Sequence, residues 1–337
     1  MLGVMTNHVL QDCYHQLHAA DFCIANDLRV FAMCMSITAV NCFVMISGYF
    51  RIRQSWRGFF NLYTQCSFYM LIFTSLAAIF FDGSLLYIVK RTIFPLTESG
   101  LWFLPAYFAV YLAAPILNAA FDKLDTKQRT TSLLALLVMD VYIGYMHQSG
   151  QVTVDGYAAI HLFVIYYVGM YLSSVRDILP PPLVWRGAAW LGFSALMVLM
   201  HAIKIVFPPF AVIFSLRYNS PSVMVASVLL FGWCMTWKMQ SRKINWISVS
   251  VLSIYLIHTS QIGGYIFFNP LKWLDRHLPV GADCLSMMAY MIVFYAACIL
   301  FDKLRILVCK PINSCLTGYG EKLSARFQRL LENISSK

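Results

Sequence analysis

A chain of 337 residues that is 60% hydrophobic and only 12% charged falls far outside the composition of soluble domains, which carry about 25% charged residues. The formal charge of +10 is not a nucleic-acid signature, because the basic residues cluster in short breaks between apolar stretches. The ten cysteines lie mostly inside those stretches, with no CxxC pair and no close Cys/His metal spacing, and read as small core residues.

Taken in chain order, apolar windows separated by polar breaks predict membrane spans near residues 1–11, 28–50, 58–82, 101–121, 130–147, 157–174, 185–207, 220–237, 246–268 and 284–308. Most are long enough to cross roughly 30 Å of hydrocarbon as a helix. The expected fold class is therefore all-α, a polytopic integral membrane helix bundle of about ten transmembrane helices. No basic n-region or cleavage site precedes the first window, so its helix would serve as the insertion signal. That window offers only about 17 Å of helix, half a bilayer, which suggests a start upstream or a helix that does not fully span.

Two domains are expected: a transmembrane domain over 1–310 and a basic amphipathic tail over 311–337. In the tail, Leu323, Phe327, Leu330 and Ile334 oppose Lys322, Arg326 and Arg329, a pattern suited to lying on the inner leaflet. With the amino terminus placed inside, 18 of the 25 Lys and Arg residues fall on the inner side and 7 on the outer. That asymmetry predicts both termini in the cytoplasm and a multi-pass protein of the cell (inner or plasma) membrane.

Ionisable groups within a bilayer are expensive and become functional candidates by default. His8 sits near the outer end of span 1, His161 in span 6, His201 in span 7, His258 in span 9 and Asp140 in span 5. His8 suits a general base, since imidazole titrates near neutrality and accepts a hydroxyl proton as an ester forms; a histidine capping a helix end is the plainer reading. For His258 a satisfied interhelical hydrogen bond is the plain alternative, and Asp140 reads as a structural acceptor for a neighbouring Tyr or Ser. Asp12, His15, His18 and Asp21 have the spacing of a divalent-ion site if helical, but a solvated loop is the better reading and no metal is expected. Arg51, Arg53 and Arg57 follow span 2, where guanidinium forks would grip the phosphates of a nucleotide-containing donor; positive-inside topology alone also places them there. No P-loop, GxSxG or HExxH pattern is present.

Several segments in order resemble the membrane acyltransferase family 3, whose members O-acylate surface glycans and other acceptors. Asn41-Cys42-Phe43-Val44-Met45-Ile46-Ser47-Gly48-Tyr49-Phe50 resembles the Phe-Phe-x-x-Ser-Gly-Phe segment that ends the family's second helix. Trp102-Phe103-Leu104 with Tyr107, Tyr111-Leu112, Pro115 and Asn118 resembles its tryptophan-led fourth helix. Ser253-Ile254-Tyr255-Leu256-Ile257-His258 resembles a late Ser-x-x-x-Tyr-x-x-His segment, and Tyr218-Ser220-Pro221 with Phe231 fits the helix before it. The family's first helix carries an Arg some ten residues before a His. The His maps onto His8, whereas the Arg has no counterpart, which again suggests an upstream start.

The resemblance implies an acyltransferase that moves an acyl group, expected to be acetyl, from cytoplasmic acyl-CoA to a hydroxyl of a cell-envelope polysaccharide or lipid-linked glycan. His8 would be catalytic and Arg51 and Arg53 would bind the donor. Ser47, Trp102, Tyr255 and His258 are candidates for the channel or acceptor site. No bound cofactor is expected; acetyl-CoA is a co-substrate, and the partners are acyl-CoA, the glycan acceptor and membrane lipids, with no nucleic acid. The rival from another class is a transporter or exporter of a glycan or small solute, which ten helices with sparse buried polar groups would also suit.

Overall fold

The computed structural model describes all residues except 14–23, 82, 148–153, 177–183, 208–214, 238–239, 280 and 336–337. Among the described residues there is no strand, and every apolar window of the sequence becomes helical. The helices are α1 Leu2–Cys13, α2 Ile24–Ser36, α3 Thr38–Phe50, α4 Trp56–Phe80, α5 Leu85–Ile93, α6 Phe103–Lys123 and α7 Thr126–Leu137, which continues as a π-helical stretch over Val138–Met146. They are followed by α8 Ala159–Ser174, α9 Val184–Val206, α10 Pro221–Cys234, α11 Arg242–Ser248, α12 Val251–His258, α13 Gln261–His277 and α14 Ala282–Ser335.

Local chemistry sets the starts of these helices. Ser55, Ser84 and Ser220 accept hydrogen bonds from the backbone N–H three residues on, and Pro221 fills the first turn after Ser220, where its missing N–H costs nothing. Asp125 and Gln128 form a reciprocal capping box at the start of α7.

Among the described residues, five helical segments are long and apolar enough to cross a membrane: Asp27–Phe50, Trp56–Phe80, Phe103–Lys123, Trp185–Ile203 and Ala282–Leu330. A sixth is reached if the bent pair Arg242–His258 and Gln261–His277 counts as one span. Ala159–Ser174 and Pro221–Cys234 are apolar but shorter, so helix length does not establish the expected count of ten. Large apolar side chains such as Ile79, Leu85, Ile116, Leu285 and Leu307 stand exposed, an arrangement suited to hydrocarbon and hazardous in water.

The window 246–268 differs from a single straight span. Its two halves meet at an angle of 86°, because the chain turns at Thr259 and Ser260. The Thr259 and Ser260 hydroxyls donate back to Tyr255 O (2.5 Å) and Ile257 O (2.7 Å), and Ser260 Oγ then accepts from Gly263 N (3.1 Å). Only glycine fits at 263, since a Cβ there would collide with the Ile257 carbonyl. Helix α5 lies between two of the apolar windows, and α14 runs on from the last window through Pro311 into the tail.

The chain divides into two compact units. The first comprises Met1–Ile52, Trp102–Arg242 and Phe267–Met291; the second comprises Arg53–Leu101, Lys243–Ile266 and Ile292–Lys337. In the first unit α3 is the centre, packed on α8 and α10, while α1 lies on α2 and α3 and α6 on α8. The α3/α8 contact is made by two glycines. A Cβ on Gly48 would strike the Tyr166 carbonyl oxygen, and one on Gly169 would strike that of Met45. Small residues let two apolar helices approach to backbone contact where no hydrophobic drive exists between them.

In the second unit α4 is flanked by α5 and α12. Asn313 joins α14 to α4, donating to Asn61 Oδ1 (2.8 Å) and accepting from the Thr64 hydroxyl (2.5 Å). Deeper in, Asp302 accepts from Tyr69 Oη (2.9 Å) and from Arg305 Nε (2.6 Å), all three residues being buried.

Candidate functional site

The helix-ending segment around Ser47 is held from three sides within the first unit. Ser47 Oγ gives its hydrogen to Phe43 O (3.2 Å), so the Tyr107 hydroxyl at 2.9 Å is the donor to Ser47. Tyr107 stacks on Phe103 (5.4 Å), and Phe43 packs on both rings. Phe103 in turn meets Trp102 edge-on (5.6 Å). Trp102, immediately before α6, closes an aromatic cluster with Tyr157 (4.7 Å) and Tyr218 (5.5 Å). Thus Ser47 and Trp102, which the sequence placed on separate motifs, are linked by one run of aromatic contacts. His8 lies half-buried on α1, the helix that packs against α2 and α3.

Beneath this cluster lies a buried polar chain. His161 Nδ1 is 2.7 Å from Asp140 Oδ2, and His161 Nε2 is 3.1 Å from Asn41 Oδ1. Asn41 Nδ2 donates to Tyr218 O (3.0 Å). That last bond fixes the amide orientation, so Oδ1 faces the imidazole and Nε2 must carry a hydrogen. A further proton then lies between Nδ1 and the carboxylate. All three side chains are fully buried, and Asp140 sits on the π-helical stretch, which packs against α8. The expectation that Asp140 serves a Tyr or Ser is corrected: its partner is His161, because a buried carboxylate is stabilised far more by a group that shares a proton with it. Asp140 Oδ1 has no hydrogen-bond partner among the described residues.

Past Ser47 the chain makes an unusual turn. Arg51 adopts φ 60° and ψ 117°, a conformation that costs a non-glycine residue about 1–3 kcal/mol and persists only where its surroundings impose it. The surroundings do so: Arg51 N donates to Gly48 O (3.2 Å), Ile52 N to Tyr166 Oη (3.0 Å), and Asn118 Nδ2 to Ile52 O (3.1 Å). Tyr166 Oη donates onward to Asn118 Oδ1 (2.9 Å), closing the clasp. The Arg51 side chain reaches over the buried Phe121 ring, 5.0 Å from its centroid, and its Nη1 pairs with Asp122 Oδ1 at 2.5 Å. The Asp122 side chain is 62% exposed, and a pair so open to solvent contributes only about 0–1 kcal/mol.

Arg129 covers the same ring at 4.6 Å and donates through Nε to Phe121 O (3.2 Å). Nothing along the chain signals this, since α7 carries Arg129 back to Phe121 only once the capping box has turned the chain.

In the second unit, His258 ends α12 at the 86° bend. Its Nδ1 lies 2.6 Å from Ile254 O, and as a carbonyl only accepts, Nδ1 carries the hydrogen. In the neutral ring Nε2 then holds the lone pair. Tyr255, also buried, meets the His258 ring edge-on at 6.0 Å. Arg53 opens this unit's chain before α4. The buried Tyr69, Asp302 and Arg305 went unremarked in the sequence, although an Asp/Arg pair three apart on a helix is a recognised pairing. Asp12 pairs with Lys272 Nζ (2.8 Å); His15, His18 and Asp21 lie outside the described residues.

Residues 1–303 match a family model, that of acyltransferase family 3, described as an acyltransferase domain. Comparison with curated proteins and with solved structures gives no match. The family model spans α1 with His8, the Ser47–Gly48 end of α3, the Trp102 cluster and the helix ending at His258, on a scaffold of long apolar helices exposing hydrophobic side chains. The chain belongs to acyltransferase family 3 and is a membrane acyltransferase.

Proposed function

We propose that this acyltransferase moves an acyl group, acetyl in the simplest case, from cytoplasmic acyl-CoA to a hydroxyl of a cell-envelope polysaccharide or its lipid-linked precursor. In this reading the protein lies in the plasma membrane with both termini cytoplasmic. The observation that carries the donor side is Arg51, held in a strained backbone with its guanidinium laid on Phe121. A residue serving only membrane topology has no need of such a fixed geometry, whereas a phosphate contact does. Arg53 follows two residues on and would add a second charge.

His8 is the base in this reading. It would take the proton of the acceptor hydroxyl as that oxygen attacks the thioester carbonyl, and the sulfur would leave as the CoA thiol or thiolate. Ser47 with Tyr107, and Trp102 with Tyr157, would line the acceptor's approach. Tyr255 and His258, on α12, are the further channel or acceptor-site candidates that the family resemblance names.

The test is transfer of labelled acetyl from acetyl-CoA to envelope glycan by membranes containing this protein. His8→Ala at equal expression should abolish transfer, and unchanged transfer would remove His8 from the mechanism. If the protein passes no acyl group from any thioester, the donor assignment fails and a carrier role gains ground.

A further inference from the structure

Two guanidinium groups converge on one buried ring. Arg51 Cζ lies 5.0 Å and Arg129 Cζ 4.6 Å from the Phe121 centroid, which places the two cations within roughly 10 Å of each other, a span that a diphosphate bridges. Phe121 is fully buried. A cation–π contact holds a guanidinium near the ring while leaving its terminal N–H groups available. Arg129 spends only Nε on Phe121 O, and Arg51 only Nη1 on Asp122. Among the described residues the remaining terminal nitrogens of both have no hydrogen bond, and the one carboxylate paired with either is the exposed Asp122. The neighbouring Asp125 is already engaged in its capping box.

We propose that Arg129 is the second cation of a phosphate-binding site built on Phe121, in which Arg129 and Arg51 together grip the phosphates of the acyl donor and Asp122 holds Arg51 until they arrive. The proposal rests on the acyl-CoA reading above and adds to it a residue outside the family motifs. Bidentate recognition of phosphate needs guanidinium planes held in place before the ligand comes. The Tyr166–Asn118 clasp on Ile52 fixes the backbone from which Arg51 projects, and the Nε bond anchors the Arg129 guanidinium itself. The Asp122 carboxylate offers one of the oxygens that a phosphate would replace, and its solvent exposure makes the exchange easy. The same chemistry would also accept the headgroup of an anionic phospholipid, and the experiment separates the two.

The probe is adenosine 3′,5′-bisphosphate, the phosphate-bearing class of ligand without the acyl arm, titrated onto the full chain in nanodiscs of zwitterionic lipid. Arg129→Gln should weaken binding about tenfold, and Arg129→Lys, which keeps the charge but not the fork, should recover part of it. Asp122→Asn, on an exposed side chain that the fold does not need, should tighten binding severalfold. Kinetically, Arg129→Gln should raise KM for acyl-CoA at unchanged kcat, and that rise should be absent with an acyl-pantetheine, which has no phosphate. Equal binding by wild type and Arg129→Gln, or weaker binding by Asp122→Asn, overturns the site. Loss of bisphosphate binding on adding anionic phospholipid, in the wild type but not in Arg129→Gln, reassigns the site to a headgroup and overturns its donor role. Bisphosphate binding that depends on Arg129, in a protein that transfers no acyl group from any thioester, would leave the phosphate site standing and overturn the acyl-CoA reading instead.

Discussion

The first unit contains two ion pairs that look alike on paper and behave as opposites. Asp140 and His161 are both fully buried, 2.7 Å apart, with Asn41 completing the chain. Arg51 and Asp122 are 2.5 Å apart, but their side chains are 27% and 62% exposed. Water is what separates them. Removing one partner from the buried pair leaves an uncompensated charge in a medium that cannot solvate it, whereas the exposed partner is replaced at once by solvent or another ion. The buried pair therefore serves as a fixture and the exposed one as an exchangeable contact, even though the exposed pair hangs from the more constrained backbone.

The sharpest way to break this contrast is to delete one side of the buried pair. His161→Phe should destabilise the protein by about 3–5 kcal/mol, read as a loss of thermal stability in detergent. The double change Asp140→Leu with His161→Phe should recover part of that loss. A double variant no better than the single would mean that the two residues do not act as a unit. Next in size is Gly48→Ala, which forces α3 away from α8 and should cost about 1–3 kcal/mol, visible as earlier unfolding and as loosening of the Arg51 turn in hydrogen exchange.

Smaller effects sharpen the exposed side of the comparison. Arg51→Gly relieves the positive-φ strain of about 1–3 kcal/mol, offset by about 0.4–1 kcal/mol of added unfolded-chain entropy, and should hold stability level or raise it, while Arg51→Ala keeps the strain. Equal stability of the Gly and Ala variants would show that the turn is not strained. Smallest of all, Asp122→Asn should shift stability by less than about 1 kcal/mol, and added salt should mimic it in the wild type but leave the buried pair untouched.

Hydropathy made the helices legible, because a run of apolar residues reports burial in hydrocarbon one residue at a time. It missed the bend at Thr259 and Ser260, since the apolar run continues across it and the hydroxyls that turn the chain are too few to register. Among site residues, Ser47, Arg51 and Trp102 stood out through motif or charge. Arg129 and Asp302 did not, because their roles depend on partners brought by the fold. Asn41 illustrates the limit well: it was quoted as part of a motif, yet its imidazole partner lies 120 residues away. A hydrogen bond of that span leaves no trace in composition, spacing or charge balance.

The glycine contact between α3 and α8 has a consequence for how such a sequence can drift. Gly48 and Gly169 each face a carbonyl oxygen of the opposite helix rather than a side chain. When a side chain crowds a neighbour, a smaller neighbour elsewhere can make room, but a backbone oxygen cannot be exchanged for something smaller. Neither position has a compensating mutation on the other helix, so each fails on its own. A Ser-Gly pair retained for this reason looks like a chemical signature in a sequence comparison, although its glycine performs no chemistry and marks only where two helices run out of room.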